Sequence, residues 1–441
     1  MRATKRKFIA VASATLVAVS GTISLNSASA AITPSFCPRF TGTLTVLSTV
    51  ILEKPDGLVE QEIADKFMKA CPKTKIKFIG VPANDLVTKL TAMAIAGNVP
   101  DMYASDAVNT VKMAALNIPL ELRAALGQDY IDGFAKENVG EMTIGGKIYS
   151  APWFSIPTAI LYRTDLFAKA GVKPPKSFEE FITVCKALTK DTDGDGKIDQ
   201  YGWAMVGTDN GSGQGRFNTL ARNMGAVDVG KDSSGKWVTQ IDSPGWKAAL
   251  KLYKDAVDVG CVPPGQFQTG YPEASVQIGK GQAAMMITGP HTIGVALTAN
   301  PAAKGKLAGA PIPAAAGVSA TTSLNQSGYA IARKSKHRAA AIAYLKFVLN
   351  KENQLRINDV TYRIPSRLDA QADPQVNSEM SLGFVKAGEG KVFSNPQIPW
   401  YNSIAILASP AYQAAIKGDK TIDQIAKEQA EKARKIIADN G

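Results

Sequence analysis

Residues 43–49 read Thr-Leu-Thr-Val-Leu-Ser-Thr and residues 75–81 read Lys-Ile-Lys-Phe-Ile-Gly-Val. Between them, residues 58–70 (Leu-Val-Glu-Gln-Glu-Ile-Ala-Asp-Lys-Phe-Met-Lys-Ala) set Ile63, Phe67 and Ala70 on one helical face. A second helical pattern follows over 86–96, with Leu86, Leu90, Met93 and Ala94 in phase, and then a short apolar run at Met102 to Ala104. Strands alternating with helices of this length imply parallel βαβ units, and so an α/β chain. On such sheets ligands bind beyond the carboxyl ends of the strands, which makes Ser48, Thr49, Ser105 and Asp106 candidates for a binding mouth.

Outward from this core, the amino end carries Arg2, Lys5, Arg6 and Lys7, an apolar run from Phe8 to about Leu25, and then Ala28-Ser29-Ala30. This is the pattern of a secretory signal peptide, with cleavage expected after Ala30. The run is diluted by Ser13, Thr15, Ser20, Gly21, Thr22 and Ser24, which argues against a membrane anchor. No later stretch is long and apolar enough to span a bilayer, so the mature chain is expected to be soluble. Of 441 residues about 410 then remain, more than one hydrophobic core usually serves, and two lobes are expected. The formal charge of +12 falls to about +8 with the leader removed, and the excess is spread thinly. Without a basic block interleaved with aromatics, nucleic acid is not an expected partner.

Four cysteines, Cys37, Cys71, Cys185 and Cys261, lie beyond the cleavage point, and an even number in an exported chain suggests pairing. Three connectivities are open. Cys37 and Cys71 each precede a strand run, and if those strands are parallel neighbours both cysteines sit at one sheet end. The preferred pairing is therefore Cys37 with Cys71 and Cys185 with Cys261. Pro34-Ser35-Phe36 lacks the small residues expected before a lipidated cysteine. Further helices are expected over 176–188, 244–259, 338–349 and 421–437, with Gly-rich loops such as 209–215 and an Ala/Pro-rich loop at 311–317.

Four segments carry a resemblance to a known family. They are Gly97-Asn98-Val99-Pro100-Asp101; Gly145 to Pro152 with Leu161-Tyr162-Arg163-Thr164-Asp165 and Pro174 to Glu180; Gly279 to Pro290; and Ser327-Gly328-Tyr329-Ala330-Ile331 with Arg363-Ile364-Pro365-Ser366-Arg367. Taken in this order and spacing they resemble the family 1 extracellular solute-binding proteins of bacterial ABC importers, the maltose-binding-protein-like sugar class. The resemblance implies a two-lobed periplasmic binding protein fold, each lobe a mostly parallel sheet flanked by helices. By analogy the N-lobe takes 41–153 and 324–367 and the C-lobe 156–322 and 368–441, with hinge crossings near 154–156 and 322–324. Such lobes close on a ligand.

The resemblance further implies a monomer that captures a carbohydrate and hands it to membrane permease subunits. Trp153 at the first crossing, and Trp400 with Tyr401 after Pro396-Gln397-Ile398-Pro399, are candidates to stack on sugar rings. Ser48, Asp106, Arg216, Asn218 and His291 are candidate hydroxyl partners, and Phe154, Gly289 and Tyr329 complete the set. Trp203, Trp237 and Trp246 are expected in the core. A phosphorylated polyol, another anion or a polyamine stays an alternative ligand, and a secreted glycoside hydrolase an alternative activity. His291 and His337 stand in no metal or triad pattern, so no catalytic residue and no cofactor is assigned. Asp191, Asp193, Asp195, Lys197 (by its carbonyl) and Asp199 have the spacing of the first part of a calcium loop, closed by Gly196 but lacking the final glutamate. A structural Ca²⁺ is expected there.

Overall fold

The computed structural model describes residues 34–441, so the expected signal peptide lies outside the described residues. The helices read from the sequence form at Asp56–Ala70, Leu86–Ile95, Phe178–Ala187, Pro244–Asp258, Arg338–Val348 and Ile422–Asn440. Their starts follow side-chain chemistry: Ser177, Ser243 and Thr421 each accept a backbone N–H of the first turn. None of the described helices is long and apolar enough to cross a membrane.

The first sheet runs Ile364–Pro365, Ala151–Ser155, Ser327–Ile331, Met102–Asp106, Gly42–Ser48, Thr74–Gly80. Gly42–Ser48 pairs in parallel with both Thr74–Gly80 and Met102–Asp106, as the βαβ reading requires. The strands contributed from farther along the chain, Ser327–Ile331 and Ile364–Pro365, run antiparallel to their neighbours. In the second sheet, ordered Leu307–Ala310, Ala159–Arg163, Ala283–Thr288, Tyr201–Trp203, only the last pair is parallel. Ala159–Arg163 enters this lobe straight from the crossing, and its direction sets two antiparallel pairings.

Each sheet has its own core. Phe67, Tyr344, Leu345 and Trp153 belong to the first, and Phe217, Trp203, Trp246 and Tyr412 to the second. Both expected disulfides are present, Cys37–Cys71 and Cys185–Cys261, the first tying together the ends that precede two parallel strands. Two of the segments that join the lobes lie side by side: Ile156 N–H donates to Leu324 O (2.6 Å) and Thr158 N–H to Ser323 O (3.1 Å), while Thr322 Oγ1 donates to Thr158 O (2.9 Å).

One loop expectation fails. Residues 209–215 do not form a Gly-rich loop, because a helix, Gly211–Asn223, starts within them and is capped by Asn210. A Cβ at Gly213 would lie 2.1 Å from the Tyr412 hydroxyl, so glycine is there for close packing, and tertiary contact overrides its poor helix propensity. The expected loop at 311–317 has no helix or strand.

Beneath the end of the first strand, Glu60 is 2% exposed. Ser48 Oγ donates to its carboxylate at 2.8 Å and the Tyr329 hydroxyl donates to it as well. Burial outweighs these hydrogen bonds and pushes the carboxyl up to about 7. An acid whose folded pKa exceeds its unfolded one keeps its proton longer when folded, so its contribution to stability declines as pH rises from about 4.5 to about 7. At 1.36 kcal/mol per pKa unit, the loss across that window is on the order of 3 kcal/mol. Glu60→Gln is expected to flatten the stability difference between pH 5 and pH 8 measured by denaturant titration; an unchanged slope would place the titration elsewhere.

Candidate functional site

The crossing segment 154–158 has a cavity on each face. Because successive residues of an extended segment point to opposite sides, Ser155 and Pro157 line one cavity of about 950 Å³, and Phe154, Ile156 and Thr158 line another of about 650 Å³. The larger is walled by 123–143 and the 379–389 helix and touches none of the parallel strand ends. The smaller includes Thr49 and Asp106, which follow the first strand and end the third, and is closed from the other lobe by Arg216, Thr288, Gly289 and His291. It is the candidate solute cleft.

Each lobe presents a guanidinium over an aromatic ring to this cleft. In the N-lobe, Arg363 Cζ lies 4.6 Å from the Phe154 ring centroid and its charge is met by Asp56, in direct contact, and by Glu53 at 3.7 Å. In the C-lobe, Arg216 Cζ lies 5.4 Å from the Tyr271 centroid, and Tyr271 in turn stacks on His291 at 4.9 Å. Arg216 is fixed by Nε donating to Ile287 O (2.8 Å), Nη1 to Ser212 Oγ (2.6 Å) and Nη2 to Thr288 Oγ1 (3.1 Å). Its planar fork therefore has a defined position before any solute arrives.

Protonation follows from burial. Desolvation, helped by the guanidinium charges of Arg363 and Arg216, pushes His291 well below the usual imidazole range, so the ring is neutral near pH 7. Its Nδ1 is shielded and without a partner among the described residues. Burial raises the Asp106 carboxyl against the opposing pull of the Asn109 amide. Asp106 caps the helix Ala107–Ala115, accepting from Asn109 N and Nδ2 at 2.7 Å each. Gly289 is where the turn after Ala283–Thr288 meets the crossing: a Cβ there would stand 2.1 Å from Ile156 Cγ2.

Of the residues singled out in the sequence, the cleft brings together Thr49, Asp106, Phe154, Arg216, Gly289 and His291. The others lie elsewhere. Ser48 turns inward to Glu60, and Ser105 is buried against Thr110 at 2.9 Å. Tyr329 points into the N-lobe core, where it also meets Glu60. Asn218 is buried and donates to Asp228 and to Ala405 O. Trp153 is 1% exposed and packs on Phe154 (4.9 Å) and Tyr329 (5.3 Å); strand alternation sends its neighbour Phe154, not Trp153, to the cleft wall.

Trp400 sits edge-on to Trp237 at 5.8 Å, against the C-lobe core. Tyr401 is buried, donating to Asp228 (2.7 Å) and accepting from Arg222 (2.6 Å). Two of the three tryptophans expected in the core, Trp203 and Trp246, are fully buried there, and Trp237 packs partly buried on the same core.

Sequence reading missed Tyr271, Arg363, Glu53 and Asp56. Arg363 lay in a quoted segment without a role. Tyr271, directly before Pro272 at a helix start ahead of Gly279-Lys280-Gly281, carried a positional signal that went unread.

Far along the C-lobe, ligand oxygens of Asp191, Asp193 and Asp195 lie within 4.8 Å of one another. Asp199 is engaged instead by Thr192, whose hydroxyl donates to it at 2.6 Å. The Lys197 side chain stands exposed, 3.9 Å from Asp195.

A family model described as bacterial extracellular solute-binding protein matches residues 53–355. The chain belongs to that family. Among its relatives, a putative binding protein of Brucella abortus is 26% identical over 381 residues, covering 86% of this chain and 89% of the relative. The diacetylchitobiose-binding protein DasA of Streptomyces coelicolor is 25% identical, covering 85% of each. A lactose-binding protein of Rhizobium radiobacter is 24% identical over 67% of this chain and 68% of its own. Among solved structures, the GacH receptor of Streptomyces glaucescens, studied unliganded and with acarbose, superposes with a TM-score of 0.77 at 21% identity, covering 91% of this chain and all of that one. Maltose-bound MalE3 of T. maritima gives 0.76 at 22%, covering 89% and 99%. These likenesses establish the two-lobed fold of the family.

Proposed function

We propose that this chain is the extracytoplasmic solute-binding component of an ABC importer, exported by cleavage after Ala30, monomeric and not lipidated, which captures a carbohydrate in the interlobe cleft and delivers it to permease subunits without turning it over. The observation that carries the reading is the cleft itself. It is about 650 Å³, within the range of small-molecule pockets, and both lobes contribute to its walls. The Tyr271 ring offers apolar surface for pyranose C–H groups, with Phe154 buried behind Arg363, while Asp106, Arg216, His291 and Asn325 offer polar edges for hydroxyls. Membership of the family, and relatives named for diacetylchitobiose and lactose, support the same solute class.

The reading extends to the 191–199 loop, where a structural Ca²⁺ would be held by Asp191, Asp193 and Asp195, remote from the cleft and offsetting most of the charge of three adjacent carboxylates. A chelator is expected to lower the unfolding temperature, with recovery on added calcium, as linkage requires for an ion bound only by the folded state. No shift in either direction would leave the loop a turn held by its own Asx hydrogen bonds.

Calorimetry on two aromatic variants separates cleft from core. Tyr271→Ala is expected to weaken carbohydrate binding by about 1 to 3 kcal/mol while melting close to the parent. Trp153→Ala is expected to lose about 3 to 5 kcal/mol of stability through an emptied core site. If instead Trp153→Ala lost affinity at full stability, and Tyr271→Ala kept it, the cleft would be misplaced.

A further inference from the structure

We propose that the captured solute carries a carboxylate, a uronate or aldonate group on a sugar, seated against Arg216 on the C-lobe wall. The proposal rests on the carbohydrate reading above and narrows it.

The argument is a comparison among arginines. Six described arginines are buried or half-buried: Arg163, Arg216, Arg222, Arg356, Arg363 and Arg367. Five have a carboxylate against the guanidinium, from Asp165 (2.7 Å), Asp228 (3.2 Å), Glu62 (2.9 Å), Asp56 and Asp369 (2.8 Å) respectively. Arg216 has none. Its partners are two backbone carbonyls and two hydroxyls, all neutral. A guanidinium carries five N–H groups; four are used here, and one on Nη2 has no partner among the described residues. An ion withdrawn from water without a counter-charge is costly, and a bound anion would supply the missing charge.

A second observation has the same sign. Arg216 lies in the second turn of the 13-residue helix Gly211–Asn223, and Gly211, Ser212 and Gly215 of that helix's amino end also line the cleft. The amino end of a helix is electropositive, and no acidic residue occupies its first turn. Asp209, ahead of the cap, is exposed and off the cleft wall. His291, neutral beside it, adds no opposing charge.

The acidic residues of the cleft, Glu53, Asp56 and Asp106, all come from the opposite lobe, where Arg363 and the exposed Lys54 stand among them. The cleft is thus polarised, with a bare cation on one wall and carboxylates able to accept from sugar hydroxyls on the other. A carboxylate supplies one negative charge to one uncompensated cation. A phosphate would place a second charge facing three carboxylates, so the carboxylate fits better.

The test is calorimetric titration of the mature protein with neutral hexoses and disaccharides, the corresponding uronates, and a hexose phosphate, at low and physiological ionic strength. A uronate should bind at least about tenfold tighter than its neutral counterpart. Arg216→Gln should abolish that preference by weakening the uronate far more than its neutral counterpart, and Arg216→Lys should restore part of it. Tighter binding of the neutral sugar, preference for the phosphate, or equal weakening of neutral and acidic sugars in Arg216→Gln would each overturn the proposal, and the carbohydrate reading would survive the first and third. Binding of no sugar at all would remove both. Should Arg216→Gln melt far below the parent, the parent protein's own uronate preference decides.

Discussion

Two strands of backbone passing side by side between the lobes are the constraint on which the rest depends. Ile156 bonds Leu324 and Thr158 bonds Ser323, so the crossings form a narrow ladder and not two independent tethers. A ladder this short restrains relative translation of the lobes yet leaves rotation about it as the soft motion, which is the hinge behaviour of binding proteins. It also decides which side chains line which cavity. Alternation along 154–158 sends Phe154, Ile156 and Thr158 to one face and Ser155 and Pro157 to the other, giving the molecule a front and a back. Arg222 locks the C-lobe side of this ladder: it donates to Ser323 Oγ (3.1 Å) and is itself held by Asp228 and Tyr401.

The site inherits its chemistry from the sheets that end at it. The strand Met102–Asp106 delivers Asp106 as both a helix cap and a cleft wall, and Ala283–Thr288 delivers Thr288 and then the turn with Gly289 and His291. Where chain ends of strands and the amino end of a helix converge, backbone dipoles and fixed side chains are available without folding cost to the ligand. The two arginines show how context separates like residues: Arg363 is neutralised by its own lobe, whereas Arg216 is positioned by neutral acceptors and keeps its charge for the cleft.

What was legible in the sequence was periodicity and its consequences. The helix faces of 58–70 and 338–349, the parallel strands and the caps at Ser177 and Thr421 follow from patterns a few residues long. So did the disulfide between Cys37 and Cys71, since parallel pairing places both at one sheet end. Side-chain direction was not legible. Trp153 and Phe154 are adjacent and both buried, and which of them lies behind the cleft wall depends on strand phase relative to a sheet assembled from distant segments. Trp400 packs edge-on to Trp237, a partner distant in sequence that no local pattern announces. The helix starting at Gly211 was hidden for a similar reason, one of its glycines, Gly213, being required by the distant Tyr412.

The central claim is that one solute is held between the lobes and draws them together. Small-angle scattering of residues 31–441, with and without a saturating carbohydrate identified by calorimetry, tests it most directly. The account predicts a smaller radius of gyration in the bound state, with that change lost in Tyr271→Ala at the same sugar concentration. Saturable binding with a scattering profile that does not change, and a Tyr271→Ala variant that binds as the parent does, would contradict it.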